Sequence, residues 1–288
     1  MSIQSVSCAR WFFLTLLFSW SGLASAQGLI DGFTRGAGKT DLAFSATWEW
    51  YDQFWLGDEK VDAPAGLGET QSVAYSLFLA HGLRDDLDLV ASVPFVDRSA
   101  DGLAPPPDES GFQDAAVYVK YRAWQSEPAA IGNGRLSLLP AFGFQTPLSD
   151  YEGDSPVAIG HQDTDFDARL LLQYTVPSGF FAALQSGFTF KVGDAPNSVP
   201  IGIKVGRGTR RLYYAGWLSV QNSTSGTDIG AGPFPTNEID YVRIGGDVFI
   251  PLRRSLGLSF SGGRTLDGRN VGAATMLSAG IVFRLGQD

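Results

Sequence analysis

The chain has 288 residues, a formal net charge of −9, and 44% hydrophobic against 18% charged residues. That acidic balance argues against a nucleic-acid binder, whose partners demand basic patches. A single cysteine, Cys8, and two histidines, His81 and His161, bound the redox and metal chemistry tightly.

The N-terminus carries its own pattern. Arg10 supplies a positive start, residues 11–23 an apolar run, and Ala24-Ser25-Ala26 a small-residue cleavage pattern before Gln27. A spanning helix needs roughly 20 apolar residues, so this run predicts a cleaved signal peptide over residues 1–26. Cys8 precedes the apolar core and cannot serve as a lipid-acceptor cysteine behind it. The remaining domain, residues 27–288, then has no cysteine, which removes disulfides, thiolate metal sites and a cysteine nucleophile together.

From Leu42 onward the chain alternates apolar and polar residues in some twelve segments, the period of a strand. The first sets Leu42, Phe44, Ala46, Trp48 and Trp50 against Ser45, Thr47, Glu49 and Tyr51. The second spans residues 72–80 and turns tightly through 81–86. The third places Leu87, Leu89 and Val93 opposite Asp88, Val90 and Ser92. A long Pro/Gly/Asp segment, 97–111, leads to the fourth, whose polar face carries Asp114, Lys120 and Arg122. The link 125–134 is the longest on the short-turn side. After the fifth strand, 135–145, comes an acidic stretch, 149–163.

The sixth strand presents Asp167 and Arg169, and a short turn at 177–179 leads to the seventh, with Gln185, Thr189 and Lys191. The eighth reads as a short strand around Lys204, with Val199, Ile201, Ile203 and Val205 on the other face. The ninth sets Tyr213 and Trp217 inward. Another long loop, 222–237, separates it from the tenth, with Tyr241, Arg243 and Asp247 inward. The eleventh, 256–265, and twelfth, 275–285, complete an even count.

Links that alternate long and short have no rationale in a soluble sandwich, the other fold that alternation allows. They are expected of an all-β transmembrane antiparallel up-and-down barrel of about 12 strands in a bacterial outer membrane, with short periplasmic turns and long outer loops. Mean hydropathy is only +0.01, as expected where lumen residues dilute the lipid-facing ones. Aromatic residues gather at strand ends: Trp48, Trp50, Phe54 and Trp55; Tyr121 and Trp124; Tyr174, Phe180 and Phe181; Tyr213 and Tyr214. They read as two interfacial girdles.

The last strand, Ser278-Ala279-Gly280-Ile281-Val282-Phe283-Arg284-Leu285, resembles the assembly signal of outer-membrane barrels, with Ser278, Gly280, Phe283 and Leu285 in its four defining positions. It departs from that pattern in continuing to Gly286-Gln287-Asp288. The resemblance implies the barrel-assembly machinery as a partner. Three further stretches resemble the outer-membrane family named for a MetA pathway of phenol degradation. They are His81-Gly82-Leu83-Arg84-Asp85-Asp86-Leu87-Asp88-Leu89, then Val93-Pro94-Phe95, then Gly111-Phe112-Gln113-Asp114 running to Lys120-Tyr121-Arg122. This resemblance implies a barrel transporter and brings no catalytic residues with it.

The polar parity collects a lumen set: Glu49, Asp88, Asp114, Lys120, Arg122 and Asp167, with Arg169, Lys191, Lys204, Arg243, Asp247 and Arg284. Both signs are present, so inside a narrow barrel they pair or stay hydrated. A salt-bridge network that closes the lumen and a polar path with selectivity rings both fit. Phe78, Phe181, Trp217 and Phe249 share the inward parity and suit either an aromatic or amphipathic solute or a packed interior. His81 reads as a turn residue. His161 stands near Asp150, Glu152, Asp154, Asp163, Asp165 and Asp167; a solvated acidic loop, a cation site and an Asp–His hydrolase at the rim are the options, in that order.

The expectation is therefore a passive or facilitated channel for small organic solutes. It works without a cofactor or resident metal and is not an enzyme, with outer-membrane lipid and lipopolysaccharide as surroundings. A closed barrel binding a partner or lipopolysaccharide through its loops is the alternative.

Overall fold

The computed structural model describes residues 30–62, 68–102, 108–128, 133–153, 155, 157–232 and 235–286. The expected signal peptide, with Cys8, lies outside the described residues, as does Asp154 in the acidic loop.

In chain order the strands are β1 (Thr40–Tyr51), β2 (Gln53–Leu56), β3 (Glu59–Asp62), β4 (Thr70–Arg84), β5 (Leu87–Ala100) and β6 (Asp108–Phe112). They continue with β7 (Asp114–Tyr121), β8 (Trp124–Gln125), β9 (Arg135–Pro147), β10 (Asp165–Thr175), β11 (Phe180–Lys191) and β12 (Ser198–Gly208). Last come β13 (Tyr213–Ser223), β14 (Asp240–Arg253), β15 (Leu256–Arg269), β16 (Val271–Gly272) and β17 (Thr275–Leu285).

Twelve of these form the wall, in the order β1, β4, β5, β7, β9, β10, β11, β12, β13, β14, β15, β17, every pair antiparallel. The first and last strands pair from Thr40↔Leu285 to Trp50↔Thr275, which closes the sheet on itself. Closure leaves no edge strand, the condition for a sheet to stand in lipid. The extra strands sit at the long-loop end: β2, β3 and β16 make a small separate sheet, and β6 extends the pairing of β5. At the other end β8 lies along β9 within the longest short-side link.

Alternation decides which way each side chain faces. Outward residues such as Phe142, Val205 and Leu277 are 65%, 56% and 53% exposed, whereas inward Ala80, Leu139, Phe249 and Val282 have no accessible surface. An apolar outer belt around a mixed interior is the inverse of a soluble barrel and matches a transmembrane one. The short turns, such as Asp85–Asp86 and Arg254–Ser255, share one end with the start of β1 and the end of β17.

Two expectations need correction. The strand around Lys204 is not short: β12 runs 11 residues, with Ile203 and Val205 outward as expected. Pro200 interrupts its ladder to β11 because it has no N–H to donate; pairing skips from Ser186↔Ile201 to Thr189↔Ser198 without a shift of register. The girdle reading was too inclusive. Phe181 and Tyr213 face inward, their rings stacked at 5.7 Å and 15°, because they share parity with Ala183 and Ala215. Trp55 is buried in the small outer sheet under Lys60. Trp48, Trp50, Tyr121, Trp124, Phe180 and Tyr214 do face outward, near the two ends of the belt.

Candidate functional site

The residues just before β1 enter the barrel instead of leaving it. Residues 30–36 run inside the short-turn end, with Thr34 and Arg35 buried. Glycine makes the fit possible: a Cβ on Gly32 would stand 2.2 Å from the Gln173 side-chain oxygen. One on Gly82 would stand 1.9 Å from the Gly36 carbonyl, where this segment crosses β4. Gly38 N–H donates to the Gly82 carbonyl and Gly82 N–H to the Lys39 carbonyl, fixing the entry point.

Ion pairs hold the segment. Arg35 donates Nη2 to Asp31 Oδ2 at 3.0 Å, and its Nε lies 3.0 Å from Asp41 Oδ2 on β1. The Arg35 backbone N–H donates to both Asp88 oxygens, at 3.1 and 3.2 Å. From β7, Lys120 Nζ donates to Asp31 Oδ1 at 3.0 Å and to the carbonyls of Asp31 and Phe33, while Asp88 Oδ2 sits 3.4 Å away. Arg122 Nη1 reaches Thr34 Oγ1 at 3.0 Å. Burial alone would raise the Asp31 carboxyl, but Arg35 and Lys120 together hold it well below the usual carboxylate range. Apolar contacts complete the fit. Phe33 meets Phe181 edge-on at 5.1 Å, and Ile30 packs on Leu139, Ala141 and Leu171. A cavity of about 30 Å³ remains between the segment and β10–β12, enough for a water molecule.

Above this plug the lumen carries two more polar groups. Lys204 Nζ pairs with Asp247 Oδ2 at 2.7 Å, and Trp217 Nε1 donates to Asp247 Oδ1 at 3.1 Å. Nearer the long-loop end, Tyr118 donates its hydroxyl to Asp167 Oδ2 at 2.5 Å, and Gln145 Nε2 to the same oxygen at 2.9 Å. Arg169 and Thr189 donate to Asp167 Oδ1 at 2.7 and 2.6 Å. Arg243 lies 4.3 Å over the Tyr241 ring, and Arg98 is 3.7 Å from Glu49.

The acidic stretch after β9 is not a solvated loop. Tyr151, Val157 and Ile159 are buried, and Tyr151 and Ile159 cluster with Val96 on the inner wall. Tyr151 donates to Asp114 Oδ1 at 2.5 Å, and Arg98 Nη1 to the Ala158 carbonyl at 2.7 Å. The loop thus folds into the mouth as a lid. Burial, helped by Lys191, pushes His161 down to about 4, so its ring is neutral at neutral pH. No metal-holding group of three His, Cys, Asp or Glu side chains occurs among the described residues.

The inward parity therefore brings most of the expected lumen set together: Asp88, Lys120 and Arg122 around the plug, Lys204 with Asp247, and Asp167 with Arg169. Arg284 comes within 4.0 Å of Asp41 and stacks on Phe249. Glu49, Asp114, Lys191 and Arg243 stand apart from these groups, towards the long-loop end. Phe78, Phe181, Trp217 and Phe249 are packed, at most 4% exposed, and so form interior instead of lining an open path. Within β17, Phe283 and Leu285 face outward at the short-turn end, and Ser278 meets Thr47 by a 3.0 Å hydroxyl contact. Sequence reasoning missed Asp31, Arg35 and Asp41. The available signal was a charged pair four residues apart ahead of the first strand.

Residues 68–281 match the family model described as "Putative MetA-pathway of phenol degradation". The chain belongs to this family. Its fold is similar to the crystal structure of an outer membrane channel from Pseudomonas putida F1, with a TM-score of 0.70 at 17% identity, covering 86% of this chain and 96% of that one. It is also similar to the NanC porin, with a TM-score of 0.50 at 7% identity over 84% and 98% of the two chains. No curated protein matches it by sequence. At these identities the likeness is one of fold. A member of this family with a closed twelve-strand wall and an apolar outer belt is a protein of the bacterial outer membrane.

Proposed function

We propose that the protein is an outer-membrane channel for small organic solutes, closed at its periplasmic end by its own N-terminal segment. One observation carries this reading: the element that fills the short-turn end contributes no strand to the wall. Residues 30–36 are held by side chains of β1, β5 and β7, so they can withdraw without breaking a ladder bond of the barrel. What they would uncover is a lumen with charged pairs at Asp88, Lys120, Lys204 and Asp247 and aromatic walls at Phe181 and Tyr213. Such a lining suits aromatic or amphipathic solutes better than strongly hydrated ions. The packed interior also supports a second reading, a barrel that stays closed and works through its loops.

Single-channel recording in a planar bilayer separates them. The channel reading expects small, infrequent steps from the native protein and larger, longer ones when Asp88→Asn weakens the plug. Folded protein that is silent in both forms leaves the closed, loop-acting barrel. A rim hydrolase draws no support from the geometry, since among the described residues the His161 ring has no hydrogen bond to a carboxylate.

A further inference from the structure

The short-turn rim is basic along one arc. β12 ends in Arg207-Gly208, the turn into β13 adds Arg210 and Arg211, β14 ends at Arg253, and the turn after it adds Arg254. These strands are neighbours in the wall, so two adjacent turns bring five arginines to one side. Residues 176–182, 204–214 and 248–262, which build this sector, contain no Asp or Glu. The opposite end is acidic, with Asp97, Asp108, Glu109 and Asp267 on the long loops and strand ends. The arc is therefore a local concentration of charge on a chain that is acidic overall.

Its position relative to lipid is defined by the register. Arg207 pairs across to Phe180 and to Tyr214, both outward aromatics, and its guanidinium lies 4.8 Å over the Phe180 ring. Arg210, Arg211, Arg253 and Arg254 are exposed just beyond it. On the same outer face, immediately towards the membrane, stand Ile203, Val205, Ile250 and Leu252, each more than a third exposed. An apolar surface ending in guanidinium groups is complementary to an acyl chain ending in a phosphate.

We propose that this arginine arc binds the headgroup phosphates of anionic phospholipids in the periplasm-facing leaflet. The guanidinium fork matches two phosphate oxygens at once, which a lysine ammonium cannot do. A soluble polyanion would use the arginines alone; a lipid uses the arginines and the exposed aliphatic strip above them. Each basic side chain near a bilayer surface strengthens attachment by roughly fivefold, so the exposed four act together.

The test uses the folded protein in a neutral detergent, exchanged against phosphatidylglycerol, phosphatidylethanolamine or inorganic phosphate, with bound lipid read by native mass spectrometry. The native protein should retain phosphatidylglycerol over phosphatidylethanolamine. The combined variant Arg210→Gln, Arg211→Gln, Arg253→Gln, Arg254→Gln should lose that preference by roughly a hundredfold or more. The milder pair Arg210→Gln, Arg211→Gln should give an intermediate loss, which guards against misfolding of the fourfold variant. Arg84→Gln, outside the arc, should leave retention unchanged. Equal retention of both lipids by the native protein would overturn the proposal, as would a preference that survives the fourfold change. Displacement of lipid by inorganic phosphate at matching concentration would do the same, by marking a simple anion site.

Discussion

Lys120 illustrates how much of the plug depends on one side chain. Its ammonium donates to the Asp31 carboxylate and to two carbonyls of the N-terminal segment, while Asp88 stands beside it with no accessible surface. Removing one member of such a buried set costs roughly 3–5 kcal/mol, because the partner charge is left uncompensated. Lys120→Met is therefore expected to release the segment before it unfolds the wall. Proteolysis should then cut residues 30–39 in a barrel that still migrates as folded on an unheated gel. His161 makes a different prediction. Its pKa of about 4 in the fold lies below the 6.5 of a free histidine. The unfolded lid takes up the proton first, so stability present above pH 6.5 is lost as pH falls from there towards 4. Relative to the intrinsic exchange rate at each pH, amide protection across residues 148–164 should fall through that window, and His161→Gln should flatten the response.

At the scale of elements, the plug can be fastened reversibly. A Cβ on Gly32 would lie 2.9 Å from the Gln173 Cβ, closer by about 0.6 Å than the short end of the usual disulfide range, so the segment must shift outward by about that much to form one. Gly32→Cys with Gln173→Cys should cross-link on oxidation, since residues 27–288 hold no other cysteine. Conductance should fall when oxidised and return on reduction; conductance that ignores the redox state would sink the gating role of residues 30–36. The twelve wall strands were legible because a period of two survives without tertiary information, and so was the inward parity of Lys120 or Asp247. Residues 30–36 were not, because a segment with no regular structure has no period to read. The lid was hidden for a related reason: its buried Tyr151, Val157 and Ile159 sit among acidic residues, and nothing local says that they meet Val96. Phe181 and Tyr213 carry both signals, a place near a strand end and an inward parity, and the buried side chains follow the parity.

For the whole molecule, the outward belt makes a sharp stability prediction. Phe142 is the eighth of the 13 residues of β9 and is 65% exposed to the surroundings of the barrel. Phe142→Arg should lower folding stability by about 2–4 kcal/mol in a bilayer, the usual cost of an arginine at mid-depth on a lipid face. Urea titration of protein inserted in vesicles would measure it, and a change below that range would place Phe142 nearer an interface than its position in the strand implies.

The pairing of Thr40 with Leu285 carries a kinetic consequence. The two partners lie at nearly opposite ends of the chain, so the last seam cannot form until the C-terminal strand has been made. Such non-local contacts fold slowly, because the entropy of bringing distant segments together is lost before any contact rewards it. Residues 30–36 are attached directly to one lip of that seam. While it is open they can swing sideways into the nascent lumen; once β1 and β17 have joined, the only way in is end-on through a rim already crowded by turns. The order of those two events sets whether the segment first enters the lumen sideways through the open seam or end-on through the finished rim.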